Sequence, residues 1–502
     1  MPGEQHPALP LLDIEQLRTL ERAAADQPLM QRAGAAAAEL AATLCAAGDE
    51  VLVLAGPGAN GGDAFVTASG LSERGFAPSV VFIGDAGRLS GEAAAAYRRW
   101  IDGGGRTLGE IPDGRRWSLI IDGLFGIGLA RPLAGRAAEL VAAANALAAR
   151  ERCPLLALDC PSGLDAATGV VGGPAIEASH TLSFIAAKPG LFTGDGPDHC
   201  GAISIDALGL DDEVAALARG YLLSRSFFAG QLRPRARNTH KGSYGNAGIV
   251  GGAPGMVGAA LLAGRAALRM GAGKVLVGML DANAPAVDGG QPELMLRAPA
   301  TLLGGVDALL CGPGLGSSDT ARALLAEALG LPQPLLLDAD ALNLVAADPA
   351  LREALAARSA PGLLTPHPAE AARLLGTTVA AVQADRVAAA RELARRYGAA
   401  VVLKGCGSVV ALADGRWFIN TSGNPGMASA GMGDVLSGMI VALLAQGWPA
   451  EQALAGAVHL HGAAADALVQ AGIGPIGMSA GETIDAARRL LNAWCAEAAD
   501  QA

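Results

Sequence analysis

Several protein classes depend on features this sequence has little of. Its 502 residues include seven cysteines, scattered and with no C-x-x-C pair. That pattern argues against a disulfide framework and for reduced, mostly buried thiols used in packing. No apolar run reaches the length of a membrane-spanning helix, and Met1 to His6 holds no basic stretch followed by an apolar one. A cytoplasmic location without membrane partners is therefore expected. Positive charge is also short: the net charge of -11 argues against broad contact with a nucleic-acid backbone, which needs basic surface to release counterions. Aromatics make up 4% against 51% hydrophobic residues overall. Such a core is built of alanine, valine and leucine, as in compact α/β layers.

The chain is longer than one hydrophobic core usually serves, so at least two domains are expected. Asp13 is placed to cap a helix carrying Ile14, Leu17 and Leu20 at helical spacing; Pro28 opens a second, closed by Gly48. Short apolar runs follow at 51–55, 79–83, 119–121 and 155–158, separated by alanine-rich helical stretches. Buried strands alternating with helices predict a Rossmann-like three-layer α/β domain with a parallel sheet. Between Leu223 and Arg237 the pattern breaks into a basic, proline-containing stretch, which places the domain boundary there, between 1–225 and 232–502. A second series has strands near 247–250, 275–278, 308–311, 335–337, 362–364 and 401–403, then helices near 435–446 and 450–469. The halves show no mutual repeat and read as two different α/β domains.

Gly56 to Asp63 follows a strand and precedes a helix. Glycines there let backbone N–H groups approach an anion; the plainer alternative is a tight turn with Asp63 as a cap. The next strand ends carry Asp122 to Pro132 and Leu158 to Asp165. Ligands of open parallel sheets bind at such carboxyl edges, so the three loops are expected to converge. Asn60, Asp122 and Ser162 offer oxygens suited to a hard cation, and Asp159 suits a general base or a hydrogen bond to a sugar or ring. Each alone also fits a cap or a pinned turn. The Asn-Gly-Gly-Asp turn, the 122–132 run and Asp-x-Pro-Ser-Gly-Leu-Asp resemble the NAD(P)H-hydrate epimerase family. The resemblance implies potassium ligands at Asn60, Asp122 and Ser162. It also implies substrate contacts at Ala59, Asn60, Gly61, Gly62, Asp63, at Gly126, Ile127, Gly128, Leu129, Ala130, Arg131, Pro132, and at Asp159, which is the expected catalytic residue. Ala59 stands where that family usually has Asn, and Ala64 where it has Gly.

The second half carries Asn238 to Asn246, Gly251-Gly252, Gly255 to Ala259, Cys311 to Gly316, Leu337 to Asn343 and Thr365 to Glu370, again mostly at strand ends. Its sharpest motif is Asn424 to Asp434, directly before a long apolar helix. Glycines at a helix start expose N–H groups to a phosphate, and Asp434 is placed to take a proton from an attacking hydroxyl rather than act as a simple N-cap. His367 fits either a site or a packed turn. Lys404 to Ser408 fits either a nucleotide contact or a plain hairpin turn. Together these motifs are similar to the NAD(P)H-hydrate dehydratase family of the ribokinase-like fold, over roughly 232–496. The similarity implies contacts to the hydrated cofactor at Ala259, Gly314, His367 and Asp434. Nucleotide contacts are implied at Lys404, Gly405, Cys406, Gly407, Ser408 and Gly433, with Asp434 catalytic. Ala430 stands where Gly is common.

The two resemblances imply an enzyme that epimerises R and S hydrates of NADH and NADPH and dehydrates the S form with a nucleotide. The nucleotide is ADP in bacterial members, giving AMP and phosphate, or ATP in eukaryotic ones. Potassium would serve the first domain and magnesium the second, in a homo-oligomer with small-molecule partners. A small-molecule kinase of the same fold is the enzymatic rival, and a non-catalytic nucleotide sensor or protein-interaction module is the rival for the first half.

Overall fold

The structure is a computed structural model that describes residues 9–128 and 131–500. Leu129 and Ala130, two of the expected substrate contacts, lie outside these residues, as does the Met1 to His6 stretch. The chain divides into a unit spanning Pro10–Gly220 and a second built from Tyr221 onward.

In the first unit the strands are β1 (Glu50–Ala55), β2 (Ala77–Phe82), β3 (Thr107–Leu108), β4 (Leu119–Gly123), β5 (Leu155–Leu158), β6 (His180–Phe184) and β7 (Ala202–Asp206). All pair in parallel, in the order β3-β2-β1-β4-β5-β6-β7. The apolar runs become strands because both sheet faces are covered; Val51 to Ala55 are fully buried. Helices α1 (Ile14–Ala23), α2 (Leu29–Leu44), α3 (Ala59–Glu73), α4 (Gly91–Asp102) and α5 (Gly135–Glu151) provide most of the cover. Asp13 and Gln16 form the reciprocal cap of α1. Pro28 opens α2, which ends at Leu44, before Gly48, because Cys45 is already extended. Strand order reverses between β1 and β4, and such a switch point opens a crevice beyond the strand ends.

The second unit contains β8 (Asn246–Gly251), β9 (Lys274–Met279), β10 (Met295–Arg297), β11 (Ala308–Cys311), β12 (Leu335–Leu337), β13 (Gly362–Leu364), β14 (Ala400–Leu403), β15 (Ser408–Ala411) and β16 (Trp417–Asn420). They run in the order β16-β15-β14-β13-β12-β11-β8-β9-β10. Pairing is parallel from β14 to β10 and antiparallel through β14, β15 and β16. The principal helices are α6 (Val257–Arg269), α7 (Asp319–Leu329), α8 (Ala339–Ala347), α9 (Pro368–Leu375), α10 (Arg386–Tyr397), α11 (Met432–Ala445), α12 (Ala450–Gln470) and α13 (Ala480–Asp500). Helix α11 is apolar and buried along nearly its whole length, as expected of a helix hydrophobic all round. It lies so close to α6 that a Cβ on Gly438 would come within 2.2 Å of the Ala263 carbonyl oxygen. A second switch point lies between β8 and β11, where the strand ends are knit by Gly312 N–H to Val250 O and Asp338 N–H to Cys311 O.

Gly312 shows how tightly these ends are drawn together. Its φ is 142°, and a Cβ there would meet the Asp338 carbonyl oxygen at 1.9 Å. Gly312→Ala is expected to lower the stability of this unit by at least about 3 kcal/mol, through backbone strain plus overlap. Urea unfolding followed by circular dichroism checks it.

Candidate functional site

At the first switch point the structure corrects one expectation. Residues 59–63 are not a loop: Gly58 is the N-cap and α3 begins at Ala59. Asp63 therefore lies inside the helix, and its reading as a cap fails. The glycines serve close packing. A Cβ on Gly61 would fall 1.9 Å from the Gly56 oxygen, and one on Gly62 would strike the Met30 side chain. No side chain caps the α3 N-terminus, so its N–H groups remain available to a ligand.

Asn60, Asp122 and Ser162, residues of α3, β4 and the loop after β5, are all buried. Ser162 Oγ donates to Asp122 Oδ1 at 2.7 Å, and Ser162 N–H donates to Asp122 Oδ2 at 2.8 Å. Burial pushes the Asp122 carboxyl up to about 6, against the pull of the bonds from Ser162 and Leu124. The Asn60 amide is buried with neither polar atom partnered, an exception that calls for an occupant. Asp63 is pushed well above the usual carboxylate range by burial and then by the charges of Asp159, Glu92 and Glu21.

Asp159 sits in the left-handed region with φ 66°, an unfavourable conformation for a residue with a side chain, and one concentrated at functional sites. Its Oδ1 lies 2.7 Å from Lys188 Nζ; the lysine side chain is 1% exposed and that of Asp159 14%. Ile127 N–H donates to Oδ2 at 3.3 Å. Gly126 makes the approach possible, since its Cβ would lie 2.6 Å from that same oxygen. Lys188 also donates to Ser183 Oγ and to the Phe184 and Ala186 carbonyls. The sequence reading missed Lys188; its signal was a lone cation in the otherwise uncharged stretch from Phe184 to Leu191. Gly128, Arg131 and Pro132 continue the same loop at the surface, and Ala59 is exposed. Ala64 is fully buried, its methyl lying over Gly123, whose own Cβ would fall 2.5 Å away.

In the second unit the expected residues gather at one sheet edge. Ala259 lies in the first turn of α6. Gly314, with φ 60°, abuts Met256, whose carbonyl a Cβ there would approach to 2.6 Å. His367 is exposed and caps α9: its Nδ1 accepts from Ala369 N–H at 3.1 Å, while Glu370 returns a bond to His367 N–H at 2.8 Å. Burial, then Lys404 and Arg373, hold the His367 imidazole below its ordinary range. Lys404 to Gly407 do form the hairpin turn between β14 and β15. Lys404 Nζ nevertheless reaches inward to Asp338 Oδ1 at 2.8 Å. Gly405, Cys406, Gly407 and Ser408 complete that turn; Gly405 and Cys406 are exposed.

Gly431, with φ 89°, is the N-cap of α11, which starts at Met432 and places Asp434 in its first turn. The simple N-cap reading of Asp434 therefore fails. Burial and the Asp338 charge raise Asp434 to about 6, with Lys404 acting in the opposite direction. A Cβ on Gly433 would lie 3.3 Å from Lys404 Nζ, so helix N–H groups, an ammonium and a carboxylate share one place. For Lys404, burial opposes its charge, but Asp338 and Glu370 outweigh that and hold the ammonium above its usual range. The sequence alone gives no role to Asp338, within the 337–343 run, or to Ser437, a lone hydroxyl in an apolar helix that donates to Asp338 Oδ2 at 2.7 Å.

Each of the two α/β units gathers carboxylates at the carboxyl edge of its sheet, an arrangement characteristic of α/β enzymes. A family model described as NAD(P)H-hydrate dehydratase matches residues 247–487, and one described as YjeF-related protein N-terminus matches 26–190. The bifunctional NAD(P)H-hydrate repair enzyme Nnr of Escherichia coli is 39% identical over 492 residues, covering 95% of this chain and 93% of its own. That of Coxiella burnetii is 37% identical over 497 residues, covering 96% and 99%. The crystal structure of an ADP/ATP-dependent NAD(P)H-hydrate dehydratase from Bacillus subtilis, co-crystallized with ATP/Mg2+, is 30% identical with a TM-score of 0.49. It covers 54% of this chain and 98% of its own. The chain belongs to the family of bifunctional NAD(P)H-hydrate repair enzymes.

Removing the cation from the Lys188–Asp159 pair leaves a poorly solvated carboxylate. Lys188→Met is expected to cost the first unit about 3 kcal/mol, read as a lower urea midpoint.

Proposed function

We propose that this chain repairs hydrated NADH and NADPH in the cytoplasm as a homo-oligomer. Residues 1–225 interconvert the R and S hydrates. Residues 232–502 use ADP to return the S hydrate to the reduced cofactor, releasing AMP and phosphate. Among the described residues, no helix is long and apolar enough to cross a membrane.

The observation that carries this reading is Asp434, a carboxylate raised to about 6 in the first turn of a glycine-led helix, with Lys404 beside it. Hydroxide is a poor leaving group, so the ring hydroxyl must first be made a better one. Asp434 takes the hydroxyl proton as the hydroxyl oxygen bonds to the terminal phosphorus of ADP and the bond to AMP breaks. The 431–433 backbone N–H groups and Lys404 face the transferring phosphoryl group, where such donors are most effective. The ring nitrogen then expels phosphate, and loss of a proton from the neighbouring carbon restores the double bond. Lys404 stands against the carboxylates of Asp338, Asp340 and Asp434, a balance that suits a nucleotide bringing magnesium on its own phosphates. Ala259, Gly314 and His367 would hold the hydrated ring, and the 404–408 turn and Gly433 the nucleotide.

In the first unit, Asp159 takes the hydroxyl proton as the adjoining ring carbon–nitrogen bond opens to a carbonyl and an N–H, and returns it when nitrogen re-adds to the other face, inverting that carbon. The first residues of α3, 59–63, and the 126–132 loop bind the substrate around it. The unpartnered Asn60 amide, the Asp122 carboxylate and the Ser162 hydroxyl fit a potassium ion, which would supply positive charge beside the substrate and tie α3 to the loops after β4 and β5.

Asp434→Asn is expected to lower dehydration at least about a thousandfold while nucleotide binding persists, measured by recovered absorbance of the reduced cofactor and by calorimetry. Because the base must be ionised, the rate of the unchanged protein should fall as pH drops below about 6; a flat profile through that region counts against the assignment. Free phosphate should appear in step with the cofactor, whereas a stable phosphate ester would indicate a kinase. Asp159→Ala in the full chain should abolish epimerisation of R hydrate and leave dehydration of S hydrate intact. Full epimerisation by that variant would remove the role given to Asp159.

A further inference from the structure

Asp338 has no part in the chemistry above, yet its carboxylate is 1% exposed and accepts from three donors. Oδ1 takes Lys404 Nζ at 2.8 Å and Ala339 N–H at 2.9 Å, and Oδ2 takes Ser437 Oγ at 2.7 Å. These donors come from the start of α8, the end of β14 and α11, which are separate in sequence. We infer that Asp338 is a positioning residue for dehydration: by gripping Lys404 and Ser437 together, it fixes the ammonium against the first turn of α11 and keeps it from closing on Asp434.

The geometry supports this in three ways. Ser437 lies one turn after Asp434 on α11, so the bond to Asp338 sets the rotation of the turn that presents the base. The Lys404 backbone is already fixed, since its N–H donates to Pro366 O at 2.9 Å and the buried Arg386 guanidinium donates to the Leu403 and Lys404 carbonyls at 3.4 and 3.3 Å. What remains to be placed is the flexible stem of the lysine, and Asp338 holds its tip. Lastly, the tip rests against Gly433, whose Cβ would be 3.3 Å from Nζ and 3.7 Å from Asp338 Oδ2. Ammonium and helix N–H groups therefore point to one phosphoryl position. Without the grip, the remaining carboxylates that act on Lys404 are Glu370 and Asp434, and pairing with Asp434 would neutralise the base.

The charges around the base are Asp338, Asp340 and Lys404; Glu370 and His367 face Lys404 or its neighbourhood from α9, with Arg373 beside His367. Two of these charges act on Asp434 with opposite sign. Loss of the Asp338 charge favours ionised Asp434, and loss of the Lys404 charge disfavours it.

The inference rests on Asp434 being the base, and the test separates the two. Full-length protein is assayed for dehydration of S hydrate with ADP across a pH series. Asp338→Asn is expected to lower kcat about tenfold to a hundredfold, with a smaller change in KM for ADP. Its acid limb should move to lower pH by roughly one unit, while that of Lys404→Met moves to higher pH. An Asp338→Asn protein that keeps kcat within about twofold, with its acid limb unmoved, overturns the proposal. If that variant does not fold, Ser437→Ala carries the test, because it removes one grip and leaves every charge. A severalfold loss of kcat with an unmoved limb supports the proposal, and unchanged kcat overturns it. Retained turnover by Asp434→Asn would instead remove the base assignment, whatever Asp338 does.

Discussion

An ammonium taken out of water survives only where carboxylate and carbonyl oxygens replace its hydration, and each unit of this chain is arranged around such a contact. In the first, Lys188 meets Asp159 at 2.7 Å; in the second, Lys404 meets Asp338 at 2.8 Å. Desolvating two charges is costly, and replacing both by apolar groups often does no harm to stability. These contacts are better understood as fixing where charge sits. Lys188 pins a carboxylate held at φ 66°. Asp338 pins a cation beside the glycine that opens α11.

The placement of these contacts follows from the sheets. Parallel strands finish together at one edge, so side chains on loops far apart in sequence meet in the gaps beyond neighbouring strand ends. Asp338 and Ser437 are separated by 99 residues, and Lys404 and Asp338 by 66. The helices opening on these gaps add N–H groups without adding ions, which suits anionic nucleotides.

Much of this was legible in the sequence. Strands with apolar residues throughout, such as 155–158, 308–311 and 335–337, declare themselves because both of their faces are covered. His180–Phe184 and Ala202–Asp206 escaped notice since polar residues interrupt them, and the second lies toward the sheet margin. Among the described residues, most motif positions lie at the carboxyl ends of parallel strands or the helix starts that follow them. What the sequence concealed was their relation: that 59–63 is helix, which glycine packing against Gly56 and Met30 decides; that the 404–407 turn sends a lysine inward; and that Lys188, Asp338 and Ser437 matter at all. Lys188 and Ser437 do stand out locally, as a lone cation and a lone hydroxyl, but which carboxylate each meets is set by contacts distant in sequence.

Ala64 carries a further implication. The resemblance to the epimerase family implies glycine at this position. In the fold, its methyl occupies space left by the missing side chain of Gly123, inside α3, where alanine favours helix over glycine by about 1 kcal/mol. Alanine here thus favours the helix that carries Asn60 while filling the space over the end of β4.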